Sequence, residues 1–265
     1  MYGIYEYASE RLRQLCYENF GVVKLNFIAD YIKFLQKNKF DAHVCIMGAN
    51  GMGKSLLGLE LVKLIDPNAI IERKLVFAST PISTLISKIA NEKESAIFID
   101  EAKSFFNYKR SMTLEQVLLV NQIEYARDNM NAFVVCTNDI RRLNNNYRNS
   151  KVQVLLWILD RFKKAKGGII GYAAVFVSNP SVETEDKFEI DMMDKRYNSE
   201  GLRIIAENTS SFIGYHLIKD ISYYLSKEEL DIYYQEKEKS KKEIAKNYIK
   251  RLAGFQDKKE NDDEE

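Results

Sequence analysis

Proline is scarce in this chain, with 3 among 265 residues, and so are cysteine, with 3, histidine, with 2, and tryptophan, with 1. Cys16, Cys45 and Cys136 stand far apart and odd in number, which excludes a disulfide framework and fits small apolar residues in a reducing compartment. His43 and His216 are isolated, so no His/Cys set has metal-ligand spacing. No apolar run approaches the length that crosses a bilayer. Residues 1–20 are interrupted by Glu6, Glu10, Arg11 and Arg13, unlike a secretory signal. The expected location is the cytoplasm, or the host cytoplasm if the protein is viral. Neither sign of charge dominates, with 39 basic against 38 acidic residues. The balance hides an acidic end, because residues 255–265 carry two lysines against six carboxylates. At 46% hydrophobic content the chain can build one good core plus appendages.

Against that background one segment stands out. Gly48-Ala49-Asn50-Gly51-Met52-Gly53-Lys54-Ser55 fits G-x-x-x-x-G-K-[ST]. Glycines let the backbone take positive φ and turn N–H groups inward as an anion nest. A lysine there can bridge terminal phosphates, and the serine hydroxyl can hold Mg²⁺. The flanks suit the motif. Residues 42–47 read as a short buried strand, and Leu56, Leu57, Leu59, Leu61, Val62 and Ile65 form a helix that Pro67 closes. Further on, Ala96-Ile97-Phe98-Ile99 leads to Asp100-Glu101, adjacent carboxylates at a strand end. Side chains alternate along a strand, so the two cannot do one job from one face. Asp100 is suited to hold the metal, and Glu101 to orient or deprotonate a water as general base.

These two motifs resemble the P-loop ATPase division in which a glutamate follows the metal-binding aspartate. The resemblance implies a three-layer α/β fold of RecA/ASCE type with a mainly parallel sheet, and ATP with Mg²⁺ as cofactors. It also implies an extra strand between the loop strand and the aspartate strand, ending in a polar sensor. Residues 131–138 supply one, with Thr137 and Asn138 at its carboxyl end.

The remaining chain divides by pattern. Residues 1–40 read as a helical extension. Residues 41–180 form the ATPase core, in which 152–158 and 169–177 make a hairpin with a basic tip. Residues 181–255 read as mostly helical, with 183–215 poorly patterned and helix from His216 to about Leu252. Residues 256–265 read as an acidic disordered tail. Thr113-x-x-Gln116 is a capping box for a helix whose stripe is Leu114, Val117, Val120, Ile123 and Ala126. Pro81 is placed at the first position of another helix, capped by Thr80.

Eight basic residues lie between Arg141 and Lys166 against Asp160 alone, and a second patch joins Lys103, Lys109 and Arg110 to Phe105, Phe106 and Tyr108. Such segments suit a nucleic-acid backbone and, in single strands, base stacking. The order of motifs is most similar to the FtsK–HerA group of DNA-pumping ATPases, in particular viral genome-packaging and plasmid transfer ATPases, over roughly residues 40–180. That group has Gln at the strand-end sensor where Asn138 stands. The resemblance implies DNA as partner, a ring, usually a hexamer, and a capsid, portal or transfer-complex protein as neighbour. It further implies an arginine completing the neighbouring subunit's site, for which Arg148 and Arg127 are the candidates. Two other readings compete. One is an AAA+-type loader or remodeller with Arg203 as second sensor, and the other is a nucleotide-gated nucleic-acid-binding scaffold with little turnover.

Overall fold

A computed structural model describes residues 2–107, 113–125, 127–162, 168–178, 188, 199–219, 222 and 224–262. Among these residues seven strands form one sheet in the order β2-β3-β4-β1-β5-β6-β7. They are β1 (His43–Met47), β2 (Leu75–Val76), β3 (Ala96–Ile99), β4 (Ala132–Thr137), β5 (Val152–Arg161), β6 (Ile169–Val177) and β7 (Phe212–Lys219). Every pairing among β1 to β5 is parallel, and β6 and β7 add antiparallel pairs at one edge.

Strand alternation builds the three layers. From β1, β3, β4 and β5, the residues Val44, Ile46, Phe98, Val134 and Leu156 face one core. Their neighbours Cys45, Met47, Ile97, Val135 and Leu155 face the other. The first core is covered by α1 (Tyr2–Glu18), α2 (Leu25–Lys37) and α3 (Lys54–Ile65). The second is covered by α5 (Ile82–Asn91), α6 (Leu114–Tyr125), α7 (Asn145–Ser150) and α8 (Ser199–Glu207). Short α4 (Ile71–Lys74) precedes β2, and α9 (Lys227–Asp262) closes the described chain. This is the RecA/ASCE-type architecture that the motifs imply, with β4 inserted between β1 and β3 as expected.

Several local expectations differ from the fold. His216 lies on β7, an edge strand, and helix begins only at Lys227. α9 then continues to Asp262, through residues where composition suggests the acidic tail begins. On α6 Ile123 of the expected stripe is buried, together with Leu119, while Leu114 and Val117 of that stripe are exposed, so the buried face is turned from the one the spacing predicts. Pro81 precedes the first residue of α5, and the Thr80 hydroxyl accepts the Phe77 N–H at 3.0 Å. Among the described residues, no helix is long and apolar enough to cross a membrane.

Candidate functional site: a cleft at the carboxyl ends of the strands

Open α/β sheets bind ligands outside the carboxyl ends of their strands. Here β1 leaves the sheet at Met47, and residues 48–53 turn the chain into α3. Gly51 has φ 78° and Gly53 has φ 90°. Both lie in the left-handed region, where a Cβ is penalised, so the loop needs glycine at these points. Gly53 is the residue before the helix, and the first N–H groups of α3 have no intrahelical acceptor to meet. The partial positive end of α3 is therefore aimed at the cleft that the loop borders.

Lys54 folds back over its own loop. Its ammonium donates to the carbonyls of Gly48 at 3.0 Å and Ala49 at 2.9 Å, and to Asn138 Oδ1 at 2.9 Å. Asn138 thus reaches the loop lysine from the end of β4, one methylene shorter than Gln notwithstanding. Thr137 acts differently. Its hydroxyl donates to the Asp139 carbonyl and accepts the Asp139 N–H, shaping the turn after β4.

Asp100 follows β3 directly and is 5% exposed. Alternation along β3 puts it on the α3 side of the sheet with Phe98. The Ser55 hydroxyl donates to it, with oxygens 3.2 and 3.4 Å away. Glu101 then takes φ 61° and ψ 57°. That left-handed conformation costs a non-glycine residue about 1–3 kcal/mol. The sharp turn separates the two carboxylates: Asp100 is buried, whereas Glu101 is exposed and lines the open cleft.

The cleft encloses about 280 Å³, and its lining also includes Lys103, Arg161, Tyr233, Tyr234 and Lys237. Arg161, at the end of β5, donates to the Gly51 carbonyl of the loop. A bulge between Ile158 and Asp160 shifts the register beside β6 and re-aims the strand end. The charge run from Arg161 to Lys166 suggests a hairpin tip, yet its first member is bound to the glycine loop. Tyr233 and Lys237 come from α9. Tyr233 donates to Asp100 Oδ2 at 2.9 Å, and the Lys237 ammonium lies 2.8 Å from the same oxygen and 3.3 Å from Ser55 Oγ. Burial and the adjacent Asp100 carboxylate push the Tyr233 phenol up, which keeps it protonated as a donor. Sequence pattern reads this stretch as a strongly charged helix, either solvated or a partner-facing arm. The only signal of its role is the spacing of Glu229, Tyr233, Lys237 and Ser240, which aligns them on one helical face.

Other expected residues lie elsewhere. Arg127 is exposed, 3.8 Å from Asp41, which precedes β1 and marks the amino edge of the sheet. Arg148 lies on α7 and bonds Asn149; its neighbour Tyr147 bonds His43 at the start of β1. Neither arginine is among the residues lining the cleft, nor is Arg203, which pairs with Glu207 on α8.

Among the described residues, members of both basic patches are drawn into the core or into ion pairs. Lys151 is buried beside Asp41 and Arg141 is paired with Asp139. Phe105 and Phe106 are core residues, 1% and 0% exposed, which removes them as stacking platforms. Lys163, Lys164 and Lys166, with Tyr108, Lys109 and Arg110, lie outside the described residues.

The donor set suits a hard cation. Ser55 and Asp100 offer a hydroxyl and a carboxylate from two rigid elements, the kind of oxygen ligands that bind Mg²⁺ alongside water and phosphate. A positive charge, the Lys237 ammonium, already rests against both oxygens. Among the described residues, no group of three or more His, Cys, Asp or Glu gathers in a way that could hold a metal ion.

No protein-family model matches the chain, and no curated protein matches it. Among solved structures, it is similar to the genome packaging NTPase B204 from Sulfolobus turreted icosahedral virus 2 in complex with ATP-gammaS. That match has 13% identity, covers 53% of this chain and 93% of that one, and has a TM-score of 0.36. It is also similar to the N-terminal domain of zonular occludens toxin from Neisseria meningitidis, with 16% identity, 71% and 96% coverage and a TM-score of 0.34.

Proposed function

We propose that this chain is a Mg²⁺-dependent ATPase whose turnover drives movement of DNA through an oligomeric ring. The observation that carries the enzymatic half is the meeting of Lys54, Ser55, Asp100, Glu101 and Asn138 around one cleft at the carboxyl edge of the sheet. The loop Gly48, Ala49, Asn50, Gly51, Met52, Gly53 would wrap the phosphates with backbone N–H groups. Lys54 would exchange the carbonyls of Gly48 and Ala49 for the terminal phosphate oxygens, while Asn138 keeps it aligned.

Ser55 and Asp100 would hold the metal, which when bound neutralises charge on the β- and γ-phosphates. Glu101, exposed in the cleft, would orient the attacking water and take its proton. Arg161 adds a cation from within the same subunit. Arg148 and Arg127 lie outside the cleft, so any contact of theirs with a γ-phosphate would be in a neighbouring subunit, as a ring requires.

The DNA half is supported by the order of motifs and by the lysines at 163, 164 and 166 between β5 and β6. The β6–β7 sheet extension, together with the position of Arg203 away from the cleft, disfavours the AAA+ reading. ATP hydrolysis should be measured with and without double-stranded and single-stranded DNA. Turnover that rises severalfold with DNA is the expected result. Turnover indifferent to both forms of DNA would leave an ATPase and remove DNA as its substrate.

A further inference from the structure

Asp100 is a nearly buried carboxylate, and a buried charge is costly unless paired. Besides Ser55 of α3, its side-chain partners come from α9, a helix of 36 residues. The amino half of that helix is fastened to the body. Glu229 pairs with Lys63 at 2.9 Å, and Ser240 bonds Ser79 at 2.8 Å. The Tyr233 ring packs against Phe77 and Phe98, with centroids 5.9 and 6.3 Å away. These anchors bracket Lys237, one turn past Tyr233 and one turn before Ser240.

The lysine uses its three donors on three oxygens: Asp100 Oδ2 at 2.8 Å, Tyr233 OH at 2.7 Å and Ser55 Oγ at 3.3 Å. Two of these, Asp100 and Ser55, are the oxygens that the nucleotide's metal would use. An ammonium and a divalent cation cannot share them, since like charges a few ångströms apart repel strongly even at intermediate dielectric. The lysine side chain is 32% exposed on a flexible stem, so it can leave while the anchored helix stays.

We propose that Lys237 is a tethered placeholder for the metal, competing with Mg²⁺ for Asp100 and Ser55 and setting the metal dependence of nucleotide binding. The proposal rests on the reading of the cleft as a nucleotide site. Without divalent metal, the Lys237 ammonium neutralises Asp100 and stands beside the phosphates as their counter-charge. With metal, it is displaced, and its displacement lowers the apparent affinity for Mg²⁺. α9 is thereby a working part of the site.

The two roles have opposite signs, which makes them separable. Binding of a fluorescent ATP analogue should be titrated in EDTA and across Mg²⁺ concentrations for the full chain, Lys237→Met and Lys237→Gln. Thermal melts establish that each variant is folded, and the second variant serves if the first is not. In EDTA the variants should bind the analogue about tenfold more weakly than the parent chain, a single charge-assisted contact being worth that or more. In the Mg²⁺ titration their half-saturating metal concentration should fall about tenfold.

Equal weakening in both conditions would make Lys237 an ordinary phosphate ligand and overturn the proposal. No change in either would overturn it too. If the parent chain binds no analogue with or without Mg²⁺, the nucleotide reading itself fails, and this inference falls with it.

Discussion

Lys54→Ala should reduce ATP hydrolysis to background, a loss of about 10³-fold or more, because the γ-phosphate loses the cation that meets its developing charge. Binding should also suffer, by about ten- to a hundredfold, the worth of a strong charge-assisted hydrogen bond. The fold should survive. In the structure Lys54 bonds Gly48 and Ala49 of its own loop and Asn138, and it bears no part of either core. Hydrolysis at the parental rate by a folded Lys54→Ala chain would remove the glycine loop from the chemistry.

Glu101→Gln separates binding from turnover. Glutamine keeps the size and the hydrogen-bonding shape but cannot accept a proton as a carboxylate does. Hydrolysis should fall by about 10²–10⁴-fold, the usual share of a positioned general base. ATP affinity should stay within about twofold, since the loop, Ser55 and Asp100 are untouched. The geometry favours this division: Asp100 is buried against Ser55, Tyr233 and Lys237, and Glu101 turns away from it into the open cleft. Loss of labelled ATP binding in Glu101→Gln, as opposed to loss of turnover, would assign Glu101 a metal-holding role and reverse the two carboxylates.

The central part of the fold is legible because its signals are contiguous. A glycine loop between an apolar strand and an apolar helix, an apolar strand ending in Asp100-Glu101, and a third ending in Thr137-Asn138 each span a short stretch of chain. Their common location at one sheet edge follows from parallel pairing. What sequence pattern misses depends on distant partners.

β7 is an edge strand whose residues are mostly half-buried, so it lacks the clean alternation of a one-sided strand. Its Gly214 has φ 146°, and a Cβ there would collide with the Gly21 carbonyl, a constraint set by a residue far away in the chain. Lys237 reads as one charge among many on a polar helix until Asp100 is placed opposite it. Arg161 begins a run of basic residues, and only the bulge in β5 reveals that it reaches the glycine loop. On α6, apolar residues surround the helix, so spacing alone cannot choose the buried face, which Leu119 and Ile123 occupy.

The proposed function turns on Ser55 and Asp100 holding the metal of a nucleotide seated on the glycine loop. Electron paramagnetic resonance of Mn²⁺, a hard cation that accepts the same oxygen ligands, reads that contact without relying on turnover. With ATP present, the parent chain should immobilise about one Mn²⁺ per bound nucleotide, as a site with a single nucleotide-bound metal requires. Asp100→Asn, which retains shape and loses the charge, should immobilise far less, while Glu101→Gln should match the parent. Equal immobilisation by the parent and Asp100→Asn, or none by the parent chain at saturating ATP, would contradict that assignment.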